Sequence, residues 1–224
     1  METNVAKNLR KVLASLPENV QLIAISKFHP CSKIIDAYNE GQRIFGESQE
    51  KEISQKVKEL PKDIQWHFIG HLQTNKVRFI APYINMVESV DSIKLMKEIN
   101  KQAIKNGRII DILLELHIAE EATKNGLTLD NCRQLLEAGE WKSMNGIRIC
   151  GLMMMASNIG IDSQLAKEFD TAKYFFDEIK ERFFSHDEYF KYRSWGMSHD
   201  YSIAIDHGSN MVRVGTAIFG EREY

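Results

Sequence analysis

Leu22-Ile23-Ala24-Ile25-Ser26-Lys27 is the stretch whose reading decides the fold. An unbroken apolar run too short for a helix, ended by a polar pair with Pro30 three residues on, predicts a short, fully buried strand whose last residue is Lys27. Lysine is almost never fully buried unless it is paired or used. Two readings of Lys27 follow. It is a surface residue just past the strand, its amine snorkelling to water, or it is an amine at the mouth of a barrel, able to form a Schiff base with an aldehyde. The neighbouring segments decide between them.

Working outward, Val5, Leu9 and Val12-Leu13 fall at helical spacing, so a first helix is expected from Thr3 to Ser15, closed by Pro17. Beyond the first strand, helices are expected around Ile34 to Tyr38, Ser48 (as cap) to Leu60, Thr74 to Ile80, Asp91 (as cap) to Asn106, Leu129 to Ala138, Leu165 to Phe183 and Tyr201 to His207. Strands are expected at Arg43–Glu47, Gln65–Gly70, Met86–Val90, Ile109–Ile118, Ile147–Met154, Tyr192–Ser198 and Met211–Gly215. The charges between Gln49 and Lys58 read as a solvated helix face. Eight strands, each but the last followed by a helix, imply parallel βαβ units. In 224 residues they point to an α/β fold: a single (β/α)8 TIM-type barrel with an extra N-terminal helix, filling residues 1–224 as one domain. A doubly wound open sheet is the alternative.

Composition narrows the function classes. Formal net charge is −2 over an ordinary 27% charged residues, so no whole-protein field favours nucleic acid or a membrane. Cys31, Cys132 and Cys150 have no metal-ligand spacing and fit free thiols in a reducing cytosol. There is no signal-peptide core and no apolar run of membrane length, so a cytoplasmic protein is expected.

In a barrel of this type the working site lies at the C-terminal ends of the strands. The first strand presents Lys27 there, the second Glu47 and Ser48, the sixth Met153 to Met155, the seventh Gly196-Met197-Ser198 and the eighth Gly215-Thr216; the third leads into His71. The loops after strands seven and eight offer hydroxyls and small residues that let backbone N–H groups approach an anion. Arg213 alternates with Val212 and Val214, so its side chain points opposite to theirs. Taken alone, it is as well explained by a salt bridge to a carboxylate as by a ligand role, and Ser198 and Thr216 are each better explained by capping and turn chemistry. Together, an amine facing a phosphate cradle suits pyridoxal 5'-phosphate or an aldolase acting on a phosphosugar.

On these residues the sequence resembles the pyridoxal phosphate homeostasis proteins, small single-domain relatives of the alanine racemase barrel. The resemblance covers nearly the whole chain. It is carried by Ala24-Ile25-Ser26-Lys27, Phe45-Gly46-Glu47, the highly specific run Trp66 to Lys76, Gly151-Leu152-Met153, Gly196-Met197-Ser198 with Asp200, and Met211 to Thr216 with Ile218-Phe219-Gly220. It implies that Lys27 carries the cofactor as an internal aldimine and that Ser198, Gly215 and Thr216 hold the phosphate, with Met197 beside them. It also implies that Arg213 faces the pyridine nitrogen, where a permanent cation disfavours ring protonation and weakens the electron sink. Ser48 stands where many members have asparagine. Its hydroxyl can still donate or accept one hydrogen bond at the cofactor but lacks the reach and second group of an amide.

The resemblance implies a non-enzymatic protein that binds pyridoxal phosphate and buffers or delivers it to apo-enzymes, as a monomer, with no nucleic-acid, membrane or metal partner. The alternatives are a pyridoxal-phosphate-dependent amino-acid racemase and a Schiff-base aldolase without cofactor. A two-base racemase needs an acid/base group on each face of the substrate carbon. Alanine racemase takes one of these from a second domain, and none is expected in a chain that ends at Tyr224, directly after the eighth strand. His71 is the nearby candidate base for weak side activity.

Overall fold

The computed structural model describes residues 3–118, 125–157 and 161–221. Eight parallel strands, β1 (Gln21–Ile25), β2 (Ile44–Glu47), β3 (Gln65–Phe68), β4 (Met86–Val90), β5 (Ile110–Leu116), β6 (Ile147–Met154), β7 (Tyr192–Met197) and β8 (Met211–Val214), close in chain order into a barrel. The β8–β1 pairing, with Leu22 opposite Val212 and Ile23 opposite Arg213, rules out the open sheet. The helices among the described residues are α1 (Asn4–Ser15), α2 (Cys31–Asn39), α3 (Glu50–Glu59), α4 (Thr74–Ile80), α5 (Ile93–Lys105), α6 (Leu129–Ala138), α7 (Asp162–Phe183), α8 (Tyr201–Asp206) and α9 (Thr216–Phe219), with a 3-10 turn at Glu140–Ser143.

The two-residue period of the strands sorts their side chains into two shells. Leu22, Ala24, Val212 and Val214 join the layer between strands and helices, which also holds Phe45, Phe68, Trp195 and the α7 stripe of Phe169, Phe175 and Phe176. Ile23, Ile25, Met86, Leu113, Cys150, Met153 and Met211 fill the barrel interior. Arg213, one strand step beyond Val212, is therefore an interior residue.

Several sequence expectations shift by a residue or two, each for a local reason. β1 ends at Ile25, not Lys27: Ser26 N–H still bonds Gly46 O at 3.1 Å, but His29 N–H then bonds back to Ser26 O at 3.1 Å, closing a turn that contains Lys27 and Phe28. β3 likewise stops at Phe68, before Ile69 and Gly70. Ser92, not Asp91, caps α5, because its Oγ is the oxygen in reach of Leu95 N–H, at 3.4 Å. α3 starts one residue too late for Ser48 to cap it; Gln49 holds the cap position without a side-chain bond. The eighth strand is followed by α9 after all. The extra helix α1 packs on it, Asn8 Nδ2 donating to Ile218 O at 3.2 Å.

Candidate functional site

At the C-terminal end of the barrel, Lys27, Met197, Ser198, Arg213, Gly215 and Thr216 line one cleft of about 270 Å³, whose walls are completed by Ile25, Ile69, Met155 and His199. These are six of the seven residues singled out from the sequence. Ser48 is not brought to them. It lines a neighbouring cleft with Phe68, His71, Gln73 and Lys76. The end of β3 divides the two, Ile69 lining the first and Phe68 and His71 the second. The chain at Gly70 passes so close to Ser48 that an added Cβ would lie 2.5 Å from the Ser48 carbonyl oxygen. His71 is exposed, with Nδ1 3.6 Å from Asp91.

The hydroxyl-bearing side of the cleft is assembled by the two loops after β7 and β8. Gly196, at φ +97°, takes a backbone turn that side-chain-bearing residues rarely adopt, and an added Cβ would meet Ala204 Cβ at 2.7 Å. The Met197 N–H bonds the buried carboxylate of Asp200 at 2.5 Å, which pins the loop. The Gly215 N–H then donates to Ser198 Oγ at 3.1 Å, joining the two loops. A side chain at Gly215 would approach the Ile25 carbonyl to 3.2 Å, so glycine is what lets this backbone lie against β1 beside the Lys27 turn.

Arg213 resolves neither simply as a surface salt bridge nor as a dangling cation. It is 4% exposed. Nη1 donates to Ser194 O and Ser194 Oγ, both at 2.6 Å, and Nη2 to Met154 O at 2.8 Å; the nearest carboxylate oxygen, on Glu88, is 4.0 Å away. Glu88 in turn accepts from Ser194 Oγ at 2.6 Å and pairs with His67 Nδ1 at 2.7 Å. Burial alone would raise the Glu88 carboxyl, but His67, Arg213 and Ser194 together hold it below its ordinary value. Burial pulls the guanidinium down from its usual value, opposed by Glu88, Asp200 and Glu115. The head group is fixed at the cleft floor by acceptors on β6 and β7, with the Glu88 carboxylate of β4 4.0 Å away.

A second network was invisible in the reading of α3 as a solvated face. Lys56 is 5% exposed, and its Nζ donates to Ser26 O at 2.9 Å, Glu47 Oε1 at 2.8 Å and Glu52 Oε1 at 2.6 Å. The signal was present: Lys56 falls three residues after Ile53 and four before Leu60, on the apolar stripe of the helix. Burial pushes Glu47 up to about 7, against the pull of Lys56 and Ser26. The cysteines take no part in the cleft; burial raises the Cys132 and Cys150 thiols to about 12, which keeps them protonated and unreactive.

Glu115, on β5, supplies a test of the interior electrostatics. It is buried, and its Oε2 has no hydrogen-bond partner among the described residues. Burial, then the Asp91 charge, raises it to about 7 against the pull of Arg213. Its folded value lies above its unfolded one, so the stability gained by holding the proton is complete below the unfolded value and lost as pH rises through about 7. That loss is at most about 3 kcal/mol, at about 1.4 kcal/mol per pH unit. Glu115→Gln should therefore gain stability relative to the wild type between about pH 5 and about pH 8, read from urea midpoints. A difference that stays constant across that range would contradict the assignment.

Chemically, the cleft offers an amine, hydroxyls and backbone amides suited to a dianionic oxyanion, a cation at its floor, and the apolar side chains of Ile25, Ile69, Met155 and Met197 between them. That set fits an aromatic aldehyde bearing a phosphate ester. The volume lies at the low end for small-ligand sites, enough for one ring rather than an extended ligand.

Fold and cleft together define a barrel of the alanine racemase type, and the family model "Alanine racemase, N-terminal domain" matches residues 2–223. Alanine racemase from E. faecalis shares this fold, with a TM-score of 0.74 at 16% identity, covering 97% of this chain and 58% of that one. Within that class the chain belongs to the pyridoxal phosphate homeostasis protein family. It is 33% identical over 205 residues to the pyridoxal phosphate homeostasis protein of Aquifex aeolicus (strain VF5), spanning 91% of this chain and 88% of the relative. The solved structure of PipY from Synechococcus elongatus PCC7942 with PLP bound is 32% identical, with a TM-score of 0.87, covering 96% of this chain and all of that one; without PLP the TM-score is 0.90.

Proposed function

We propose that this protein binds pyridoxal 5'-phosphate in the cleft between Lys27 and the loops after β7 and β8, and serves the homeostasis of that cofactor by buffering and delivering it without efficient turnover. The observation that carries the reading is the convergence of Lys27, Ser198, Arg213, Gly215 and Thr216 on one cleft in a member of this family. A relative of the same family has been solved with PLP bound. Lys27 supplies the amine that condenses with the aldehyde, releasing water. Ser198, Gly215 and Thr216 hold the phosphate, and Met197 packs against the ring. Bound pyridoxal phosphate supplies an electron sink. Arg213, a cation fixed by three hydrogen bonds, disfavours protonation of the pyridine nitrogen and so keeps that sink weak. The chain acts as one binding domain, a monomer in the cytoplasm whose macromolecular partners are apo-enzymes that receive the cofactor. Among the described residues no helix is long and apolar enough to cross a membrane.

The racemase reading has the fold in its favour, and likeness at 16% identity supports no more than the fold. His71, the candidate base, lines the neighbouring cleft rather than this one. Incubating the loaded protein with a panel of L-amino acids, following chirality and keto-acid release, separates the two. No product, together with transfer of the cofactor to an added apo-enzyme, is the expected result. Turnover in the usual enzyme range of roughly 1–1000 per second would overturn the carrier reading.

A further inference from the structure

The turn that presents Lys27 is gripped from both sides by one buried charge network. On the N-terminal side, Ser26 Oγ donates to Glu47 Oε1 at 2.5 Å, and Ser26 O accepts from Lys56 Nζ at 2.9 Å. On the C-terminal side, the Phe28 N–H donates to Glu52 Oε1 at 2.6 Å. Lys56 ties the halves together, its three ammonium protons matched by Ser26 O, Glu47 and Glu52. Phe28 has φ +66°, a region a bulky residue enters only when its surroundings impose it. Its amide is held there by Glu52.

Such a network is an expensive way to fasten a helix to a barrel. Burying an ion pair costs desolvation that an apolar contact avoids, so it is weak evidence for a stabilising role. What distinguishes this one is where its hydrogen bonds end: on the two residues flanking Lys27. α3 reaches the turn through Lys56 and Glu52, one helical turn apart on one face, and β2 reaches it through Glu47.

We infer that Lys56 and Glu52 are positioning residues for Lys27. Through Ser26 O and the Phe28 N–H they fix the backbone on either side of it, and so set the direction in which its amine meets an aldehyde in the cleft. Covalent capture depends on them, whereas non-covalent affinity, which comes from the loops after β7 and β8, does not. The inference rests on the cofactor reading above.

The test compares full-length wild type with Lys56→Met and with Glu52→Ala, which removes only the acceptor of the Phe28 amide and the partner of Lys56 at a less buried position. Two ligands are used: pyridoxal phosphate, with borohydride to fix the link and peptide mapping to locate it, and an analogue whose aldehyde is replaced by a methyl group, which can only bind non-covalently. In both variants the rate of capture on Lys27 should fall by up to about a hundredfold, the penalty for misplacing a reacting group by about 1 Å, while analogue affinity stays within about threefold. Lys56→Arg, which keeps a multidentate cation, should recover part of the rate. Wild type that captures on Lys27 alongside variants that capture equally fast would overturn this inference alone. Variants that lose analogue binding in proportion to capture would also overturn it, because the network would then be merely structural. Capture by the wild type on a different lysine would overturn the cofactor reading, and this inference with it.

Discussion

Lys27→Ala is expected to abolish covalent retention of pyridoxal phosphate while leaving part of its non-covalent binding. After borohydride treatment of the wild type, the adduct should map to the peptide carrying Lys27; the variant should carry none above background. Position in the cleft decides which lysine reacts. Lys27 is the lysine among the residues lining the cleft. Lys33 Nζ bonds the carbonyl of Phe219 at 3.2 Å. Lys56 is buried with its three protons occupied, and Lys51 and Lys76 line the neighbouring cleft. None of these other lysines lines the cleft with Ser198, Gly215 and Thr216. The loops bearing Ser198, Gly215 and Thr216 are untouched by the substitution, so a phosphate-bearing ligand should still be held. An adduct on Lys33, or one that persists in the variant, would remove Lys27 from its assigned role.

How far these features could be read in the chain itself depends on the period of the element that carries them. Strand alternation placed Arg213 opposite Val212 and Val214, and the barrel has it inside with those valines outside, because a period of two leaves one choice of face. Loop identity was legible for a similar reason: Gly196 and Gly215 stand where backbone must come close to a neighbour, and larger side chains do not fit. Contacts between elements distant in the chain were not legible. Nothing near Ser26 announces that its carbonyl is met by Lys56, thirty residues on. The charge-rich composition of α3 hid a lysine that lies on its apolar stripe. Ser48 was placed by its position after the second strand, yet which cleft a residue just past a strand joins depends on the following turn, and here Ser48 lines the cleft with His71. The length of β1 was overestimated for the same reason: the turn at Ser26 to His29 is closed by a backbone bond that depends on Phe28 holding a positive φ, and no glycine marks the spot.

The largest effect on affinity is expected from the phosphate side. Ser198→Ala combined with Thr216→Val removes two hydroxyls at the junction of the β7 and β8 loops while keeping side-chain volume nearly constant. Each hydroxyl facing a phosphate dianion makes a charge-assisted hydrogen bond worth about 1.5–3 kcal/mol. Together they are worth about 3–6 kcal/mol, so affinity for pyridoxal phosphate should fall by about a hundredfold to ten-thousandfold. Pyridoxal without the phosphate keeps the aldehyde and the ring and should lose little. The fold has no reason to suffer: Ser198 is half-buried and Thr216 exposed. The Ser198 Oγ contact with Gly215 N–H is a single neutral bond between loops that Asp200 and Gly196 already position. Titrating both ligands into the double variant and the wild type gives the ratio directly. A loss shared equally by the two ligands would mean that these hydroxyls shape the cleft without touching the phosphate, and the anion cradle would then have to be sought in the backbone amides of Gly215 and Thr216 alone.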